Sequence, residues 1–111
     1  MAALAANRAT PNQVQDPWLV ELGLYKKAED ADGKWDELNA KYGRTLQGLV
    51  HILEKKGLQQ ELIAGPANGR RHAFEICAQI GGEGQFCLPQ SVWTESVKAE
   101  IEAQYGEIRF E

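Results

Sequence analysis

The chain has 111 residues, 43% of them apolar and 25% charged, with a formal net charge of −4. A chain of this length fits one domain that buries a core without a metal or a disulfide. Its acidity excludes polyanion binding over the whole surface, and no apolar run nears the roughly 18 residues of a membrane span.

The opening residues, MAALAANRAT, lack the lysine-flanked apolar core of a secretory signal. Residues 1–15 read as a flexible arm broken by Pro11, and residues 16–111 as one α+β domain. Asp16–Pro17 carries the signature of a helix start. Trp18, Leu19, Leu22 and Tyr25 follow at helical spacing, and EDADG (Glu29 to Gly33) closes that element. From Trp35 the pattern continues through Leu38 and Tyr42, then Leu46, Leu49, Val50 and Leu53. This predicts an amphipathic helix over 34–56, either unbroken or split at Gly43, with Lys55 and Lys56 in its last turn and Gly57 as its stop.

Leu58 to Ala64 reads as a strand, and Gly65 to Gly69 (GPANG) as a hairpin turn. Alternation from Arg71 to Ile80 places His72, Phe74, Ile76, Ala78 and Ile80 on one face of a second strand. GGEG turns the chain into a short third strand, Gln85 to Leu88. Pro89 opens a last helix striped by Trp93, Val97, Ile101 and Tyr105, and EIRFE (Glu107 to Glu111) reads as a terminal strand. The fold class is therefore α+β: N-terminal helices, a small antiparallel sheet over about 58–88 and a C-terminal helix.

Charge is unevenly distributed. Residues 41–72 hold six cations against two carboxylates, a net of +4, while residues 1–40 carry −3 and residues 73–111 carry −5. A basic island in an acidic chain points to local contact with a polyanion. LEKKGL (Leu53 to Leu58) and PANGRR (Pro66 to Arg71), within residues 17–80, resemble the recognition-helix end and wing tip of a winged helix-turn-helix DNA-binding domain. The resemblance implies a 44–56 helix in the major groove of double-stranded DNA, with Arg44, Thr45, Gln47, His51 and Lys55 as its readers. It also implies phosphate contacts from Arg70 and Arg71. A non-enzymatic DNA-binding regulator, as a homodimer, is the expected function. The alternative is an acidic protein-interaction module, an inhibitor or adaptor that uses its carboxylate-rich C-terminal region or its tryptophans.

Catalytic and metal chemistry find little support. His51, His72, Cys77 and Cys87 match no zinc spacing, and GGEGQF leads into a strand without the lysine of a phosphate loop, so no cofactor is expected. A hairpin around Gly81 to Gly84 would set Ala78 opposite Cys87 and turn Cys77 to the other face. Both cysteines are then expected as reduced thiols, and the protein as cytoplasmic.

Overall fold

The computed structural model describes residues 17–91 and 95–105. Their elements run β1 (Pro17–Tyr25), α1 (Ala28–Lys41), β2 (Val50–Lys56), β3 (Gln59–Asn68), α2 (Arg70–Gly81), β4 (Leu88–Gln90) and α3 (Glu95–Tyr105). The sheet order is β2-β3-β1-β4 with every neighbouring pair antiparallel. Two split β-α-β units thus interlock, each leaving a gap that a strand of the other fills. The expected arm over 1–15, Trp93 and the strand expected over Glu107 to Glu111 lie outside the described residues. No helix among the described residues is long and apolar enough to cross a membrane.

The chain begins its described part with a strand, which corrects the helix expected from Asp16–Pro17. PWLVELGLY places Trp18, Val20 and Leu22 on one face and Leu19 and Glu21 on the other, and Leu19, Val20 and Leu22 are all buried. A strand buried on both faces shows a near-continuous apolar run, which also satisfies a helical template. The segment EDADG lies inside α1 rather than ending a helix.

The second correction concerns 44–56. Residues 42–48 form turns, Gly48 has φ +85°, and β2 follows as an edge strand paired in full with β3. No recognition helix exists. Leu46 and Leu49 are buried and Leu53 packs on the same core beside Ile76, but Val50 lies in a different cluster. β2 and β3 join through Gly57 (φ +62°) and Leu58, with Lys56 opposite Gln59.

The third correction is the wing. Gly65 to Asn68 continue β3, with Gly65 opposite Val50 of β2 and Ala67 and Asn68 opposite Trp18 and Pro17 of β1, and Arg70 starts a helix. That helix, α2, replaces the expected strand over 71–80. Ala73, Ile76 and Ile80 are buried along one face, with Cys77 packed beside them, while Phe74 is 46% exposed.

The core has two compartments. Helices α1 and α2 cover one face of the sheet, burying Ala31, Trp35, Leu38, Ala73, Ile76 and Ile80 against Val20, Leu22, Leu62 and Ala64. Helix α3 covers part of the other face, setting Val97 and Ile101 on Leu19, Ile52 and Ile63. His51 on β2 stacks on the Trp35 ring (centroids 5.2 Å apart) and its Nε2 lies 2.9 Å from Asp32 Oδ1, which ties the sheet edge to α1.

The start of α2 carries a pH-dependent contact. The Asn68 backbone N–H donates to His72 Nδ1 at 2.8 Å, so this nitrogen must be unprotonated. Burial pushes the imidazole below its ordinary pKa, with Glu75 acting weakly against that. A depressed folded-state value means that the unfolded chain binds the proton better. The contribution is therefore complete above the unfolded value of about 6.5 and is lost as pH falls through the folded one. Urea melts from pH 7.5 to 5.5 should show stability falling, and His72→Gln should flatten that slope. An unchanged slope would remove His72 from the account.

Candidate functional site

The residues expected to read DNA are dispersed over three elements. Arg44 and Gln47 lie in the turns after α1, His51 and Lys55 on β2, and Arg70 and Arg71 in the first turn of α2. His51 is engaged with Asp32 and Trp35, and Arg71 lies 3.5 Å from Glu75. Without a helix over 44–56, nothing projects the first four residues together. Among the described residues, no group of three or more His, Cys, Asp or Glu side chains could hold a metal.

The structure instead forms an open groove of about 540 Å³ at the outer edge of β1, lined by Glu21 to Tyr25, Lys34, Gln85 and Phe86. Its origin is local. β4 pairs only with Leu19 to Glu21, so β1 runs on beyond its neighbour. A register shift between Glu21 and Gly23 leaves Leu22 without a partner in β3. Bulges of this kind bend a strand and re-aim its groups. Here the Leu22 carbonyl accepts from Gln85 Nε2 at 3.0 Å and from the Tyr25 hydroxyl at 3.1 Å. Gly23 has φ +125°, and a Cβ there would meet the Tyr25 ring and hydroxyl at 3.2–3.4 Å, so only glycine lets tyrosine fold back over the strand.

The groove combines apolar and polar chemistry. Phe86 is 53% exposed and Leu24 47%, a large apolar exposure for one site. Glu21 accepts from Gln90 Nε2 at 2.7 Å, and Lys34 is paired with Glu37 at 3.0 Å. Behind Glu21 lies Glu61, 5% exposed. Burial and then the Glu21 carboxyl push the Glu61 carboxyl above its usual range, and Lys56 at 3.7 Å works in the opposite direction. The result is a shallow, mostly apolar cleft with convergent carboxylate, amide, ammonium and hydroxyl groups, the usual make-up of a small-molecule or polymer site.

The segment bearing Gln85 and Phe86 is anchored on both sides. Lys41 Nζ at the end of α1 lies 2.6 Å from Glu83 Oε1. The Lys41 ammonium and the Tyr42 hydroxyl hold the Glu83 carboxyl below its usual range. Cys77 on α2 and Cys87 form a disulfide, with Cα atoms 5.2 Å apart. This corrects the reduced-thiol expectation, which rested on the lack of a secretory signal at the start of the sequence and on a strand at 71–80. On a helix Cys77 faces the sheet together with Ala73, Ile76 and Ile80, and so meets Cys87 directly. Disulfides persist in oxidising compartments, so the cytoplasmic reading falls with it.

No protein-family model matches this chain, and neither does any curated protein sequence. Among solved structures, the peptidoglycan binding domain of the B. subtilis cell wall lytic enzyme CwlC is similar in fold. The match has a TM-score of 0.50 at 19% identity and covers 66% of this chain and 85% of that one. The shared architecture is the four-stranded antiparallel sheet with two main helices in β-α-β-β-α-β order. It overturns the winged-helix resemblance. With that go double-stranded DNA as partner, the dimeric transcription regulator and the acidic interaction module.

None of the groove residues stood out in the sequence. The available signal was Phe86, an aromatic residue inside the glycine-rich, polar run GGEGQFC, where no core-forming period accounts for it.

Proposed function

We propose that this chain is a SPOR-type peptidoglycan-binding domain that takes the wall polymer in the groove beside β1. The fold it shares with the CwlC domain is the observation that carries this reading. The groove supplies fitting chemistry. Sugar rings present C–H faces that suit the Phe86 and Tyr25 rings, and their hydroxyl and acetamido groups suit Glu21, Gln85 and Lys34. The disulfide fits a protein that works outside the cytoplasm, against the wall. Residues 16–111 act as the binding unit, with 1–15 as an arm before it. Its role is attachment, and no catalytic step is assigned to it.

Co-sedimentation with purified, protein-free sacculi tests this. The wild-type domain should pellet with sacculi and stay in solution with cellulose. Phe86→Ala should weaken retention about tenfold, equivalent to about 1.4 kcal/mol. A wild type that remains in the supernatant at low and high salt would end the proposal.

A further inference from the structure

One end of the sheet carries an apolar side chain that the fold does not use. Gly57 and Leu58 turn β2 into β3, and Leu58 is 94% exposed at the tip. The turn uses glycine at Gly57 (φ +62°) but makes no demand for an aliphatic residue beside it, where polar residues are usual. The hairpin runs on past Tyr25 and Gln60, the last pair of β1 with β3, so Leu58 stands at the very end of the sheet.

Lysines surround this tip. Gln60 has Tyr25 of β1 on one side and Lys55 of β2 on the other. Just beyond that row the chain places Lys56 after Lys55, and Lys26 and Lys27 after Tyr25. All four lysines are exposed. Among the described residues, Lys26, Lys27 and Lys55 enter none of the ion pairs, and Lys56 lies 3.7 Å from Glu61. The carboxylates at this end are Glu29 and Asp30, in the first turn of α1, and Glu54 and Glu61, opposite each other on β2 and β3. Glu29 and Asp30 complement the N-terminal dipole of α1, and burial holds Glu61 toward its neutral form. In a chain of net charge −4, this end is the one that an anionic surface attracts.

Shape and mixed chemistry select the partner. A lone leucine on a protruding turn is too small a patch for a stable protein interface and offers no concavity for a small ligand. A bilayer accommodates it. The leucine enters the boundary between headgroups and acyl chains, while lysine stems lie along the interface and their ammonium groups meet phosphates. An apolar insertion and a basic patch are also the two signals that together give surface attachment where either alone is marginal.

We propose that the β2–β3 hairpin tip is a peripheral membrane contact, with Leu58 inserted and Lys26, Lys27, Lys55 and Lys56 on anionic lipid headgroups. The groove opens at the same end of β1 but includes none of these residues, and the contact does not rest on the peptidoglycan reading.

The test is co-sedimentation with vesicles of phosphatidylcholine alone and of phosphatidylcholine mixed equally with phosphatidylglycerol. Wild type should bind the mixed vesicles and not the neutral ones. Leu58→Ser should lose about tenfold at low and at high salt, because the leucine contributes by leaving water. Leu58→Phe should retain binding. Lys26→Gln/Lys55→Gln should lose about fivefold per lysine at low salt, and the difference should shrink as salt screens the headgroups. Lys56 is left in place to keep its contact with Glu61, and the tip position of Leu58 lets its variants fold, which circular dichroism checks. Leu58→Ser should leave retention on sacculi unchanged; equal losses on sacculi and vesicles would assign the tip to the wall and overturn the membrane contact. A loss for the lysine variant with none for Leu58→Ser, or complete displacement from vesicles by soluble heparin at a salt level where Leu58→Ser still matters, would mark a general polyanion patch and overturn it too. So would a wild type that ignores mixed vesicles at low salt, whatever it does on sacculi.

Discussion

Leu62→Ala should destabilise the domain by about 2–5 kcal/mol, whereas Leu58→Ala, four residues away, should change stability by less than about 0.5 kcal/mol. Leu62 is fully buried on β3, between strands β1 and β2 and under the two main helices. Removing its side chain forfeits transfer free energy and leaves a cavity that a sheet paired on both sides cannot close. Leu58 sits at the tip of the β2–β3 hairpin and is 94% exposed, so its apolar area stays in water whether or not the chain is folded. Urea melts of the two variants would decide the matter. Comparable losses would mean that the core is not where the sheet register places it.

Removing the disulfide should have the second large effect, and it should reach the groove. Cys77 and Cys87 are separated by 10 residues, and closing a loop of that size restricts the unfolded chain by about 2–3 kcal/mol. The double variant Cys77→Ala/Cys87→Ala should lose about that much stability. It should also bind sacculi more weakly than its stability alone requires. Its loss arises because Gln85 and Phe86 are fixed on one side by Cys87 and on the other by the Glu83–Lys41 ion pair. Melts with and without reductant, together with sedimentation at a temperature where the variant remains folded, separate the two effects. Full retention by the folded variant would show that the bridge serves stability alone.

Some of this architecture was legible in the sequence. Trp35 and Leu38 in one helix, a strand over Leu58 to Ala64 and the Val97/Ile101 stripe of a late helix follow from periodicity, whereas Gly57, expected as a helix stop, turns a β-hairpin. The failures have a common physical origin. Leu19 to Leu22 is buried on both faces, so it carries no clean alternation, and an Asp-Pro cap signal prevailed. Arg71 to Ile80 satisfies two periods at once. Phe74, Ile76 and Ile80 share a strand face, while Ala73, Ile76, Cys77 and Ile80 share a helix face, and packing against the sheet selects the second. The disulfide was hidden by the same ambiguity, because a wrong period turned Cys77 away from its partner. The groove could not be read at all. It arises from a bulge in β1 and from a contact between residues 63 positions apart, Gln85 and Leu22.

The neighbouring positions of β1 and β4 also govern assembly. Leu19 to Glu21 pair with Leu88 to Gln90, about seventy residues later in the chain. Contacts of such long sequence separation form slowly, because loop closure precedes their reward. The hairpin of β2 and β3 needs only its own turn. During folding, the sheet therefore starts from its middle and waits for its last strand. The groove lies where that last strand ends. A ligand groove built at that point is complete only in the finished, oxidised domain.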